Sequence, residues 1–149
     1  MKKIILSITT ILAIVSFGFS NTQNTKNQCN IESCELSIIH AEVKETNSNN
    51  TAIKMHIKNS GDKTVDIIAA YSPVDRQTQL HHFVTIGNKR VMKQIKTIEI
   101  YPHNSVDLSY QELHVMLIGL KQKITKGQKI PVMLILEDGS TLSTTAIVD

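Results

Sequence analysis

From Leu36 to Val148 apolar and polar residues alternate in short runs, each stopped by turn-forming residues. Leu36–Val43 ends before the polar Asn47-Ser48-Asn49-Asn50, and Ala52–Ile57 before Asn59-Ser60-Gly61-Asp62. Val65–Tyr71 stops at Ser72-Pro73, and Gln79–Ile86 stops at Gly87-Asn88. Val91–Ile100 is interrupted near Lys96, and Val106–Tyr110, Leu113–Leu117 and Ile130–Leu136 follow. Asp138-Gly139 then marks a tight hairpin before Thr141–Val148. A period of two places alternate side chains on opposite faces of a strand, so these runs predict eight or nine short strands. Roughly ten-residue spacing between them points to an all-β sandwich or barrel. No segment sustains a helical period. The polar stretch Lys121–Lys129 is expected to be a loop over the end of the sandwich.

The first twenty residues follow a different rule. Met1-Lys2-Lys3 is basic, Ile4–Phe19 is a nearly unbroken apolar run, and Gly18 and Ser20 are small residues before a cut after Ser20. That combination predicts a secretory signal peptide. The run falls short of the roughly 20 residues needed to cross a bilayer, and no basic cluster follows it. Lipidation at Cys29 is disfavoured, because Lys26-Asn27-Gln28 before it is polar. The expected organisation is a signal peptide over 1–20, a leader rich in Asn, Thr and Gln over 21–35, and one domain over 36–149, secreted with no stable membrane insertion.

Composition narrows the function. Loss of the signal removes Lys2 and Lys3 and lowers the formal charge of +3 by two, leaving no basic surface to argue for nucleic acid. Trp is absent and aromatics make up 4% of the chain, so the core is aliphatic. Two cysteines, Cys29 and Cys34, are too few to frame the fold.

His and Met carry the remaining chemistry. In His114-Val115-Met116 the imidazole and thioether sit at i and i+2, on one face of a strand, while Leu113, Val115 and Leu117 take the other. His81, before the Gly87-Asn88 turn, and Met92, after it, are brought near each other by a hairpin. A two-His, two-Met set is soft and neutral, which favours Cu(I) over hard ions. Methionine also withstands an oxidising compartment better than a thiolate does. The alternative for Met92 and Met116 is aliphatic core filling.

The order His81, ten residues, Met92, twenty-one residues, His114, one residue, Met116 resembles the signature of the periplasmic Cu(A) copper chaperone (PCuAC) family. Ala52–Asp62, Ser72-Pro73-Val74, Gln79-Leu80-His81, His114–Lys121 and Lys126–Pro131 resemble that family's flanking blocks, and the similarity spans about residues 38–148. The resemblance implies a cupredoxin-like Greek-key β-sandwich; the sequence has no activated nucleophile motif, paired-carboxylate signature or phosphate-binding loop, so carriage by a monomer without catalytic turnover is expected. It implies Cu(I) held by His81, Met92, His114 and Met116. It also implies delivery to the Cu(A) centre of cytochrome c oxidase subunit II, alongside a Sco-type protein. Where the family often has an acidic residue and a Met after the first His, this chain has His82 and Phe83; His82 is either an auxiliary ligand or a surface residue facing away from His81.

Other residues stay open. Cys29 and Cys34 form a local disulfide, a redox pair or a second soft copper site; closing so short a loop contributes about 2 kcal/mol. Met55 is expected in the core and His56 at the surface, and His40 and His103 have no evident partner. Two further functions compete with copper carriage: a thiol–disulfide protein acting through Cys29/Cys34, and a metal-free secreted β-sandwich that serves as an interaction module.

Overall fold

A computed structural model describes residues 35–149. The signal peptide, nearly all of the leader and the Cys29/Cys34 pair lie outside the described residues. Every regular element within them is a strand: β1 Leu36–Val43, β2 Asn50–Asn59, β3 Val65–Tyr71, β4 Gln77–Ile86, β5 Lys89–Gln94, β6 Ile98–Ile100, β7 Ser105–Leu108, β8 Leu113–Ile118, β9 Lys129–Leu136 and β10 Thr141–Val148. The expected eight or nine strands become ten because Val91–Ile100 divides at residues 95–97 into β5 and β6.

Hydrogen bonds link the strands in the order β5-β4-β8-β2-β1-β10-β9-β3-β6, with β7 paired to the second half of β2. The two outermost strands on this path, β5 and β6, are joined by residues 95–97 alone. Extended chain bridges at most about 14 Å there, whereas nine flat strands spread over about 38 Å. The sheet is therefore rolled until its edges meet, and one face closes on a single core. Ile53 and Val115 from one half share that core with Ile67, Leu134 and Leu142 from the other. All pairs are antiparallel except β1 with β10.

Turn chemistry fits several connections. Gly87, at φ 60°, opens the two-residue hairpin between β4 and β5, a position that favours glycine. In the β9–β10 turn, Asp138 Oδ1 accepts hydrogen bonds from Ser140 N at 2.8 Å and Ser140 Oγ at 2.6 Å. Asn59, fully buried at the end of β2, donates to Lys63 O and Ile100 O and accepts from Gly61 N, so one amide ties the β2–β3 turn to β6. The loop at 121–129 is less polar in effect than expected. Ile124 is fully buried and bridges Thr46, plugging the core from that end.

Candidate metal centre

Strands β4, β5 and β8 are adjacent, and their registers decide which side chains meet. His81 stands opposite His114, Gln79 opposite Met116, and Phe83 opposite Met92. Directly opposed residues share a face, as do residues two apart on one strand. Gln79, His81, Phe83, Met92, His114 and Met116 therefore all lie on the sheet face opposite to Leu80, Val115 and Leu117, which are buried in the core. Hydrophobic alternation fixes this arrangement, since slipping β8 by one residue would exchange His114 and Met116 for core leucine and valine.

The polar atoms are arranged as donors to an ion. His114 is only 1% exposed. Its Nδ1 lies 3.1 Å from Glu112 O, and a carbonyl only accepts, so Nδ1 carries the proton. Nε2 is left with a lone pair, and Met92 Sδ, also a lone-pair atom, lies 3.2 Å from it. His81, 9% exposed, places Nε2 at 2.7 Å from Gln79 Oε1. With Gln79 accepting there, His81 Nδ1 is an unprotonated, buried nitrogen with no partner. The two imidazole centroids are 5.8 Å apart. Burial pushes both imidazoles below their ordinary protonation range; the neighbouring His114 adds to this at His81, and the Glu112 carbonyl opposes it at His114.

The structure thus brings His81, Met92 and His114 into one cluster and puts half-buried Met116 on the same face, two residues from His114 and opposite Gln79 and Ala52. Met92 is the outermost of the four, 38% exposed on edge strand β5. His82 alternates to the other face, with Nε2 3.6 Å from Glu112 Oε2. Among the described residues no three His, Cys, Asp or Glu side chains converge as a metal cage, so a site here depends on the thioethers. The donor chemistry fits a soft monovalent ion.

Sequence reasoning did not assign three residues around this cluster. Phe83 lies with its ring 5.7 Å from that of His114, and Arg90 covers Phe83 at 5.1 Å while bonding the Gln111 carbonyl. Gln79 orients His81. The i±2 spacing of 79, 81 and 83 was visible, but their roles follow only from register. Elsewhere His40 and His103, for which no partner was expected, pair with Glu42 at 2.7 Å and Asp62 at 2.8 Å.

The model of the family described as "Putative lipoprotein LpqE-like" matches residues 35–148. A "Putative lipoprotein Lxx21020" of Leifsonia xyli subsp. xyli is 35% identical over 107 residues, which is 71% of this chain and 64% of that protein. Among solved structures, the copper-bound PCuAC domain from PmoF2 is 20% identical with a TM-score of 0.64, over 77% of this chain and 92% of that one. The solution structure of CuI-DR1885 from Deinococcus radiodurans is 25% identical with a TM-score of 0.62, over 82% of this chain and 80% of that one. The fold is the cupredoxin-like β fold of PCuAC domains.

Proposed function

The chain belongs to the LpqE-like family, and from that premise we propose that it is an extracytoplasmic copper chaperone holding one Cu(I) through His81, Met92, His114 and Met116. The observation that carries this reading is the approach of two lone-pair atoms, His114 Nε2 and Met92 Sδ, to 3.2 Å. No proton lies between them in the tautomer fixed by Glu112. An ion accepting both lone pairs relieves that contact and gives the orphaned His81 Nδ1 a partner. Thioether and neutral imidazole donors suit Cu(I), and the copper-bound PmoF2 domain and CuI-DR1885 support the choice of metal.

The ligand set also suggests how the metal moves. His81 and His114 are buried and fixed by Gln79 and Glu112, whereas Met92 is exposed on the sheet edge. Met92 is then the ligand that an incoming donor displaces first, and the imidazoles release last. A site of neutral donors yields its ion to anionic thiolates, consistent with carriage without turnover. In this reading the recipient is the Cu(A) site of cytochrome c oxidase subunit II, with a Sco-type protein as a further partner. The chaperone acts as a monomer in the periplasm after cleavage behind Ser20. The description of its relatives as lipoproteins supports export.

The decisive experiment is an anaerobic Cu(I) titration against a competing chelator, in a Cys29→Ser/Cys34→Ser background that removes the thiols. Met92→Leu/Met116→Leu conserves side-chain volume, so its melting temperature should match that of the parent. One equivalent bound by the parent, with affinity lower by at least about tenfold in the double variant, is expected. Equal affinity in both would overturn the thioether site.

A further inference from the structure

A second group of imidazoles lies on the same sheet face as the His/Met cluster. Along β2, Ala52, Lys54 and His56 alternate onto that face, and Ala52 is opposite Met116. His56, four residues further on, is about 13 Å away along the strand. On β1, past an irregularity after Ile38, His40 is directly opposite His56; on β7, Asp107 is opposite His56 from the other side. Direct cross-strand pairs have Cβ atoms about 5 Å apart, a spacing that lets two imidazoles reach one ion.

Each ring already has a carboxylate behind it. His56 Nδ1 is 2.5 Å from Asp107 Oδ1, which leaves Nε2 free. His40 Nε2 is 2.7 Å from Glu42 Oε2, which leaves Nδ1 free. Glu42 is held in place on its other oxygen by Lys54 Nζ at 2.7 Å, and the hydrogen bonds from His40 and then Lys54 keep its carboxyl below the usual range. A carboxylate on one ring nitrogen with the other nitrogen open is the arrangement by which proteins orient and strengthen metal-binding histidines.

We propose that His40 and His56 form a second metal site, a cross-strand two-imidazole chelate for a divalent transition-metal ion, with Cu(II) bound most tightly. Among the described residues, three or more protein ligands do not converge here. Water completes the coordination, so the site is open and exchangeable. The His40 side chain is 61% exposed, so solvent and ions reach its ring, and His56 opposite it is held by Asp107. Imidazole nitrogen suits borderline divalent ions, and among these Cu(II) forms the strongest complexes. The site has no thioether and so complements the soft His/Met cluster. It stands on its own register and hydrogen bonds, independent of the Cu(I) reading.

The test adds Cu(II), as its glycinate complex, to the isotope-labelled protein and follows amide resonances, which a paramagnetic ion broadens near its binding site. Broadening is expected across residues 38–42 and 54–58. It should disappear in His40→Asn/His56→Asn, while the Cu(I) titration of that variant stays at the parent value. Asp107→Asn, a change to a positioning residue, should weaken Cu(II) about tenfold or more without loss of stoichiometry. Zn(II), monitored by shift changes at the same amides, should bind there more weakly. Broadening confined to the surroundings of His81 and His114, no broadening, or broadening at 38–42 that persists in the double variant would each overturn the second site. A failed Cu(I) titration would leave it untouched.

Discussion

His81 and His114 each commit one ring nitrogen to a protein acceptor and keep the other as a lone pair, that of His114 lying against Met92 with the Phe83 ring beside it. Burial sets both below the ordinary imidazole value of 6.5. In the unfolded chain both rings take up protons near that value, while in the folded protein they resist. The unfolded state therefore binds more protons once the pH drops below about 6.5, and folding stability falls from there through the folded-state values. Above that window the contribution is constant. Thermal melts of the metal-free protein should show a melting temperature that is flat from pH 8 to 7 and declines between pH 6.5 and 5. His81→Gln should shallow the decline, and an unchanged slope in that variant would place its origin elsewhere. The same neutrality keeps both rings ready to bind metal in mildly acidic surroundings.

At the level of elements, connections matter as much as strands. The Asn59 amide serves carbonyls of the β2–β3 turn and of β6 and accepts from Gly61, the bonds to Ile100 and Gly61 being buried. Asn59→Ala leaves these backbone groups without partners, so a loss of about 2–3 kcal/mol is expected in denaturant unfolding, with Cu(I) affinity unchanged. The strands themselves were readable: Val65–Tyr71 and Thr141–Val148 coincide with β3 and β10 because each is a short run rich in apolar and β-branched residues bounded by turn residues. The break near Lys96 was visible too, but not that β5 and β6 belong to opposite ends of the sheet, since pairing is decided by distant sequence. Ile124 was missed because one apolar residue in a polar loop has no period. At the candidate metal centre, spacing and resemblance singled out the two His and two Met. Gln79, Phe83 and Arg90 needed the register of β4 against β5 and β8, which no local pattern carries. His40 had its partner Glu42 two residues away on the same face, a signal that i+2 counting could have found.

For the whole molecule the parallel pairing of β1 with β10 is the closure. β10 sits between β1 and β9, so it joins the two halves of the rolled sheet. It contributes the buried Leu142, Ala146 and Val148. Removing residues 141–149 would open two long strand edges in the middle of the sheet and expose the core. A chain shortened in this way should lack a cooperative thermal transition and run as aggregates in size-exclusion chromatography; a monomer with a native melt would contradict the closure. The order of strands along the chain adds a matter of timing. The strands bearing the His/Met cluster, β4, β5 and β8, are complete while β9 and β10 are still to come, and the core behind them lacks Leu134 and Leu142 until those two strands arrive. Until then much of that apolar face stays in water, and the burial that stabilises the sheet is incomplete. The candidate metal site thus takes its final shape late, after β10 is available, and in the proposed role loading with copper follows folding.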